Sequence, residues 1–287
     1  MIAPRSLRPW PQPIPVTVVV PTHNEAEGIG HLAWQLACLR HAAAERYDLR
    51  FLFVDDGSRD ETFARLLEVF RSWPEVTVVR HDRNLGIAQA IQTGIACART
   101  EWVCSLDADC SYDPLILLPM LDLARRHRAD MVTASPHHPS GGLGEVPRWR
   151  AFLSRAASLV YRGILGQALH TYTSCCRVYR RSAVVELPLR HSGFAGVAEL
   201  LGRLLLRGGR VMEYPAHLRV RRFGRSKLRL LRTIAAHLQV LLTLFVLRWT
   251  GWEPGLGGSP PAFAECTLPA PHIVANPQHR TEENSAL

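Results

Sequence analysis

The sequence predicts an α/β protein with a mostly parallel sheet covered by helices, and three observations carry that expectation. Short apolar runs alternate with helix-spaced segments through the first half of the chain. Polar or acidic loops follow the carboxyl ends of those runs: Pro21-Thr22-His23-Asn24-Glu25, Asp55-Asp56-Gly57-Ser58 and Asp107-Ala108-Asp109. No GxGxxG turn follows the first run, which argues against a dinucleotide cofactor.

The elements follow in order. Val16 to Val20 is a β-branched strand closed by Pro21, and Asn24-Glu25 opens a helix marked by Leu32, Leu36 and Leu39. The unit recurs as Phe51 to Val54 with a helix from Glu61, then Val76 to Val79 with a helix from Ile87. Trp102 to Leu106 precedes a helix from Pro114, and Met131 to Thr133 is a further strand. Beyond about residue 135 the alternation fails, and Pro136 to Gly142 is a mobile loop by composition. A helix over Arg150 to Leu165, a strand over Thr173 to Arg180, a helix over Phe194 to Leu206 and a strand over Arg210 to Val220 complete the domain, which spans 16–227.

Residues 1–15, rich in proline and without an apolar core segment, are expected to be a flexible lead-in rather than a secretory signal. Arg219, Arg221, Arg222, Arg225, Lys227, Arg229 and Arg232 crowd the approach to an apolar stretch, Ile234 to Leu247. That stretch is shorter than the ~20 residues of a membrane span. Leu228, Leu231, Ala235, Leu238, Leu242, Phe245 and Trp249 recur at helical spacing, so 228–252 is expected to be a basic amphipathic helix on an anionic membrane surface. The same pattern also suits a core or dimer-packing helix. Residues 253–287 are expected to be disordered.

With 287 residues, 47% of them hydrophobic, the chain is able to bury one large core. Its formal net charge of +9 implies anionic partners: nucleic acid, lipid headgroups or a phosphorylated substrate. Seven cysteines without CxxC spacing fit a reducing, cytoplasmic setting.

In an open parallel sheet, ligands bind beyond the carboxyl ends of the strands, so carboxylates placed there face a ligand. Asp107 and Asp109 sit two apart in extended backbone and share a face, which allows both to reach one hard cation, Mg2+ or Mn2+, completed by diphosphate oxygens. Taken alone, such a triplet is also an exposed acidic turn; its place at a strand end favours the metal. Asp55 and Asp56 offer acceptors for ribose hydroxyls and base N–H groups, with Asp56 the main nucleoside ligand, although Ser58 or Asp60 in that loop also suits a helix cap. Gly86, after Asn84-Leu85, permits close backbone approach before a helix. His137 and His138 lack metal-ligand spacing, and Cys175-Cys176 suits a buried strand.

The order of these motifs resembles glycosyltransferase family 2 enzymes of GT-A fold, in particular the polyprenyl-phosphate branch typified by dolichyl-phosphate mannose synthase. The likeness covers about residues 16 to 232 and rests on Val20 to Glu25, Val54 to Ser58, Asn84-Leu85-Gly86 with Ala90, and Leu106 to Ser111 with Pro114. Gly193-Phe194 with Glu199, Glu213-Tyr214-Pro215, and Arg221-Arg222-Phe223-Gly224-Arg225-Ser226-Lys227 extend it. The resemblance implies donor contacts from Pro21, Asn24, Glu25, Asp55, Asp56, Gly86 and Asp107. It also implies metal binding by Asp107 and Asp109 with Ser111 as a weaker ligand, and phosphate or acceptor contacts from Arg177, Arg221, Ser226 and Lys227. Two departures stand out. Ser135-Pro136-His137-His138-Pro139-Ser140 replaces a Ser-Arg-Tyr segment, leaving Arg148 or Arg150 as substitutes, and Thr171 to Arg177 lacks the acid found in relatives. Glu199 is then the best remaining base, with a cap or a surface charge as its ordinary alternative.

The implied activity is inverting transfer of a sugar from a nucleotide-diphosphate donor, GDP-mannose or a UDP-sugar, to polyprenyl phosphate at the cytosolic membrane face, with no nucleic-acid partner. A hydroxyl acceptor on a glycan or lipid is the first alternative. A non-catalytic membrane or nucleic-acid binder is the second.

Overall fold

The computed structural model describes residues 12–144, 148–219, 230–251 and 272–275. β1 (Ile14–Thr22) runs two residues beyond the β-branched run at each end, because it pairs in parallel along its whole length, Ile14 to Tyr47 through Thr22 to Asp55. After α1 (Ile29–Ala43) that partner is β2 (Tyr47–Asp55), followed by α2 (Thr62–Val69), β3 (Val76–Arg80), α3 (Ile87–Cys97) and β4 (Trp102–Ser105). Asp113 caps the next helical segment by accepting the Leu115 N–H at 3.1 Å; a 3-10 turn over Pro114–Ile116 then leads into α4 (Leu117–His127). β5 (Met131–Ser135), β6 (Gly142–Leu143), α5 (Arg148–Leu165), β7 (Arg177–Arg180), α6 (Arg181–Val184), α7 (Phe194–Leu206), β8 (Val211–Pro215) and β9 (His217–Leu218) follow, then α8 (Leu230–Thr250) and β10 (His272–Ala275).

The main sheet has the order β10-β3-β2-β1-β4-β7-β5-β8. β3, β2, β1 and β4 are parallel, β7 is inserted antiparallel between β4 and β5, and β8 is parallel to β5. β10 lies antiparallel on β3, so four residues of the segment expected to be disordered form an edge strand; the rest of 253–287, apart from these, lies outside the described residues, as does most of 1–15. The strand expected over Arg210 to Val220 divides at Ala216: β8 stays in the main sheet, while β9 pairs with β6.

Successive side chains of a strand point to opposite faces, and β1 shows the result. Val16, Val18 and Val20 join the core formed with α1 and α4, whereas Val19 joins a second core with residues of α3, α5, α7 and α8. Gly94 lets α3 close on β1, since a Cβ there would lie 2.2 Å from Val19 Cγ1. α8 is 21 residues long, and its Val240, Leu241 and Leu244 are buried in the second core. Gly202 of α7 admits that packing; a Cβ would sit 2.5 Å from Leu244 Cδ1.

The strand order reverses at β1, which has β2 on one side and β4 on the other. The crevice for a ligand therefore opens where the carboxyl ends of β1 and β4 diverge.

Candidate active site

Three loops at the carboxyl ends of β1, β2 and β3 are joined by buried side chains. Thr22, Asp55 and Arg80 are register neighbours, so the residues that follow them meet. Asn24 takes a left-handed backbone (φ 54°), which for a non-glycine residue Asn tolerates best. Its N–H donates to Ser58 Oγ at 3.0 Å and its Oδ1 accepts the Arg59 N–H at 2.8 Å, while the Glu25 N–H donates to Thr62 Oγ1. Pro21 is buried at the end of β1, and Asn24 and Glu25 are half-buried.

Asp56 is 3% exposed and faces inward. Its Oδ1 accepts the Leu85 N–H and bonds His81 Nδ1, both at 2.8 Å; its Oδ2 accepts the Gly86 N–H at 2.7 Å. His81 Nε2 bonds Thr93 Oγ1 at 3.0 Å. The sequence-based assignment of Asp56 to the nucleoside is therefore corrected: the carboxylate anchors the Asn84 to Gly86 loop. Asp55, fully buried, is corrected likewise. Its Oδ1 accepts the Ser58 N–H at 3.3 Å, and Arg80 Nε approaches Oδ2 at 3.1 Å without a well-directed hydrogen bond. Burial raises the Asp55 pKa despite that guanidinium. Gly86 adopts φ 95°, and a Cβ there would lie 2.4 Å from the Ser192 carbonyl oxygen, so the close approach expected of this glycine is made to the protein's own backbone.

Asp107 and Asp109 lie past the end of β4, in a turn and not in the extended backbone expected of them; both are half-exposed, while Ala108 and Cys110 between and after them are buried. Leu106 N–H still bonds the Val19 carbonyl of β1, which holds the pair at the crevice. Cys110 turns the chain with φ 53° and donates its N–H to the Asp107 carbonyl. Ser111 gives both its N–H (2.9 Å) and its hydroxyl (2.5 Å) to Asp109 Oδ1, so Ser111 orients that carboxylate. Among the described residues no group of three or more His, Cys, Asp or Glu is arranged to hold a metal. Two hard carboxylates on one exposed face nonetheless fit a divalent cation whose other ligands come from diphosphate and water. The Arg219 N–H donates to the Ser111 carbonyl at 2.8 Å and its guanidinium pairs with Asp113 at 3.3 Å, so the basic segment departs from beside this pair. Arg221, Ser226 and Lys227 lie outside the described residues.

Two further assignments change. Arg177 is fully buried on β7, where its terminal nitrogens donate to the carbonyls of Val197 (2.6 Å) and Tyr172 (2.7 Å); it clamps α7 to the sheet and reaches no phosphate. Glu199 is also fully buried. Its Oε1 accepts from Arg203 Nε at 2.8 Å, and its Oε2 accepts the N–H groups of Arg190 (3.1 Å) and His191 (3.0 Å) and bonds His191 Nδ1 (3.0 Å). A carboxylate so engaged is a positioning group, not a base. Glu213 similarly gathers the N–H groups of His170 and Thr171, each at 2.8 Å. Cys175 and Cys176 are buried as expected, and His137 bonds Ser154 Oγ at 3.0 Å, with burial lowering its pKa.

A doubly wound sheet with two half-exposed carboxylates at its switch point is the arrangement of a GT-A fold, the scaffold of nucleotide-sugar transferases. The chain belongs to glycosyl transferase family 2, whose model matches residues 17–187. It is 26% identical over 247 residues to a dodecaprenyl-phosphate galacturonate synthase of Rhizobium johnstonii, covering 85% of this chain and 70% of that one. It is 29% identical over 237 residues to a polyprenol monophosphomannose synthase of Mycolicibacterium smegmatis, covering 78% and 84%. It is 27% identical over 240 residues to a dolichol-phosphate mannosyltransferase of Pyrococcus furiosus, covering 82% and 64%. In fold it is similar to glucosyl-3-phosphoglycerate synthase of Mycobacterium tuberculosis, solved with Mn2+, UDP and glucosyl-3-phosphoglycerate, at TM-score 0.60 and 19% identity over 82% of this chain and 80% of that one.

Sequence reasoning missed His81 and His191, and named Glu213 as part of a motif without giving it a role. A signal for His81 was present: it directly follows β3, as Asp56 follows β2, and residues just past adjacent parallel strands lie side by side.

Proposed function

We propose that this glycosyltransferase moves a sugar from a nucleotide-diphosphate donor, GDP-mannose or a UDP-sugar, to polyprenyl phosphate at the cytosolic face of a membrane, with inversion at the transferred carbon. The observation that carries the reading is the Asp107/Asp109 pair, held half-exposed at the switch point of the sheet. The acceptors in the names of its relatives support polyprenyl phosphate over a hydroxyl.

Asp107 and Asp109 would hold Mg2+ or Mn2+, which when bound neutralises charge on the departing nucleoside diphosphate. Ser111 fixes one rotamer of Asp109, and the buried bonds of Asp56 shape the donor-side loop before a ligand arrives. A phosphate-monoester oxygen is ionised near neutral pH, so the attacking atom needs positioning more than deprotonation. That suits a site whose nearest candidate base, Glu199, is already fully engaged. The exposed Leu238, Leu242, Phe245 and Trp249 of α8 support contact with an anionic bilayer.

The test is incubation of purified protein with Mn2+, labelled nucleotide sugars, and vesicles with or without polyprenyl phosphate. Acid-labile label in the organic phase, rising with acceptor, is the expected result. Label on a glycan or lipid hydroxyl instead would establish the alternative acceptor, and indifference to every donor would sink the transferase reading.

A further inference from the structure

β4, β5 and β8 begin where the antiparallel β7 ends, at the rim of the sheet opposite the Asp107/Asp109 pair. Main-chain bonds knit that rim together. The Asp130 N–H donates to the Arg210 carbonyl, the Arg180 N–H to the Asp130 carbonyl and the Arg181 N–H to the Glu101 carbonyl, each at 2.8 Å. The segments so joined, 99–101, 126–130, 180–181 and 207–210, carry seven arginines against two carboxylates, Glu101 and Asp130. The whole chain has 34 Lys and Arg against 25 Asp and Glu, so the excess is local to this rim.

Two of the seven arginines are committed within the fold. Arg181 donates to the carbonyls of Ile95 (3.0 Å) and Ala96 (3.1 Å), and Arg180 lies over the Trp102 ring with Asp130 Oδ1 3.8 Å away. The other five, Arg99, Arg126, Arg128, Arg207 and Arg210, are exposed, and among the described residues none of them has an ion-pair partner. Asp130 is turned to the protein, since its Oδ2 accepts the Arg210 N–H at 2.9 Å. The five guanidinium groups therefore repel one another without a matching set of internal counter-charges.

The dimensions and chemistry of the rim select among anions. Adjacent strands lie ~4.8 Å apart, so from β4 through β7 and β5 to β8 the rim runs only about 14 Å. That is the reach of about four residues of extended peptide, against the ~34 Å of one duplex turn. None of the exposed large apolar residues belongs to these segments, which leaves them without an anchor for a bilayer or a platform for a base. Guanidinium forks, by contrast, pair with carboxylates two N–H groups at a time.

We propose that this rim docks an acidic segment of a partner protein, held through Arg99, Arg126, Arg128, Arg207 and Arg210. At strand rise, the chain from Glu101 to Asp107 spans roughly 20 Å, so a partner docked here leaves the crevice open. Docking at this rim is independent of sugar transfer.

The experiment titrates fluorescein-labelled deca-glutamate into the full chain, with deca-glutamine as the uncharged control and a short DNA duplex and phosphatidylglycerol vesicles as rival anions. Arg128→Glu/Arg210→Glu is expected to raise the Kd for deca-glutamate tenfold or more. Arg65→Glu/Arg162→Glu, which removes the same charge from exposed positions elsewhere, is expected to raise it less than threefold. Arg99→Gln/Arg126→Gln, a milder change at the rim, is expected to raise it at least threefold and decides the matter where charge reversal lowers the melting temperature. A benzophenone on the peptide is expected to cross-link within 99–101, 126–130 or 207–210. Equal weakening by the two double reversals, or cross-links spread over other faces, would overturn the site. Duplex or vesicles bound more tightly than the peptide, with the same dependence on Arg128 and Arg210, would overturn the acidic partner in favour of nucleic acid or lipid. Sugar transfer by Arg128→Glu/Arg210→Glu is expected to match the wild type; a fall in kcat at unchanged melting temperature would assign the rim to the reaction and overturn docking. A wild type inactive with every donor, yet binding the peptide through these arginines, would support the rim and sink only the transfer reading.

Discussion

At the scale of single residues, the carboxylates divide into those that face a ligand and those that hold the protein together. Asp109→Ala is expected to lower transfer by about 10³-fold with little change in melting temperature, because the side chain is half-exposed. Transfer rates at saturating Mn2+, read beside a thermal melt, check this. Asp56→Ala has the opposite signature. It strands two N–H groups and a buried histidine, and is expected to cost about 1–3 kcal/mol of stability, measured by urea unfolding. His237 supplies a pH dependence. Burial, with His191 nearby, holds its pKa below the ordinary histidine value while Tyr161 Oη bonds its Nδ1 at 2.9 Å. The unfolded chain then takes up a proton first as pH falls, so this contribution is fully present above about pH 6.5 and lost below it. Urea unfolding at pH 7.5 and 5.5 should show a larger acid loss in the wild type than in His237→Gln. The lowered His137 pKa adds a loss common to both proteins.

At the scale of elements, the alternation of strands and helices was legible because the central strands are buried on both faces where their apolar runs are unbroken, as in Phe51 to Val54. The Asp107/Asp109 pair stood out in sequence by its place just past an apolar run, although in the structure the two residues lie in the turn that follows β4 and not in extended strand. What the sequence hid was direction: nothing in Arg177 or Asp56 tells whether a charged side chain at a strand end turns outward to a ligand or inward to a loop. That depends on main-chain N–H groups brought up by distant segments, Leu85 and Gly86 for Asp56, and on carbonyls of Tyr172 and Val197 for Arg177. The helix α8 itself was expected, over 228–252, and stands as Leu230–Thr250; what was underestimated is its apolar window. The apolar stretch looked shorter than a span, yet Arg232–Thr250 is long and apolar enough, by length and composition, to cross a membrane. Val240, Leu241 and Leu244 of that helix are buried against the domain. Helix packing offers its own test: Gly94→Ala drives a methyl into Val19 and is expected to destabilise by about 1–3 kcal/mol in denaturant titration.

At the scale of the whole molecule, α8 packs on the second core through Val240, Leu241 and Leu244 and leaves Leu238 and Leu242 exposed on its other side. Leu238→Ser/Leu242→Ser removes two exposed side chains, each worth about 1.5–3 kcal/mol on full burial, and is expected to weaken sedimentation with anionic vesicles at least tenfold without affecting nucleotide affinity. The reversed strand β7 has a broader consequence. Because β5 ends and β7 begins at the same rim, everything from residue 136 to 176 leaves the sheet and returns to it on the ligand side. That excursion behaves like a cartridge clipped in at two places, the β6–β9 pair and the seat of α5 in the second core; between those clips its length can change without altering the strand order of the main sheet.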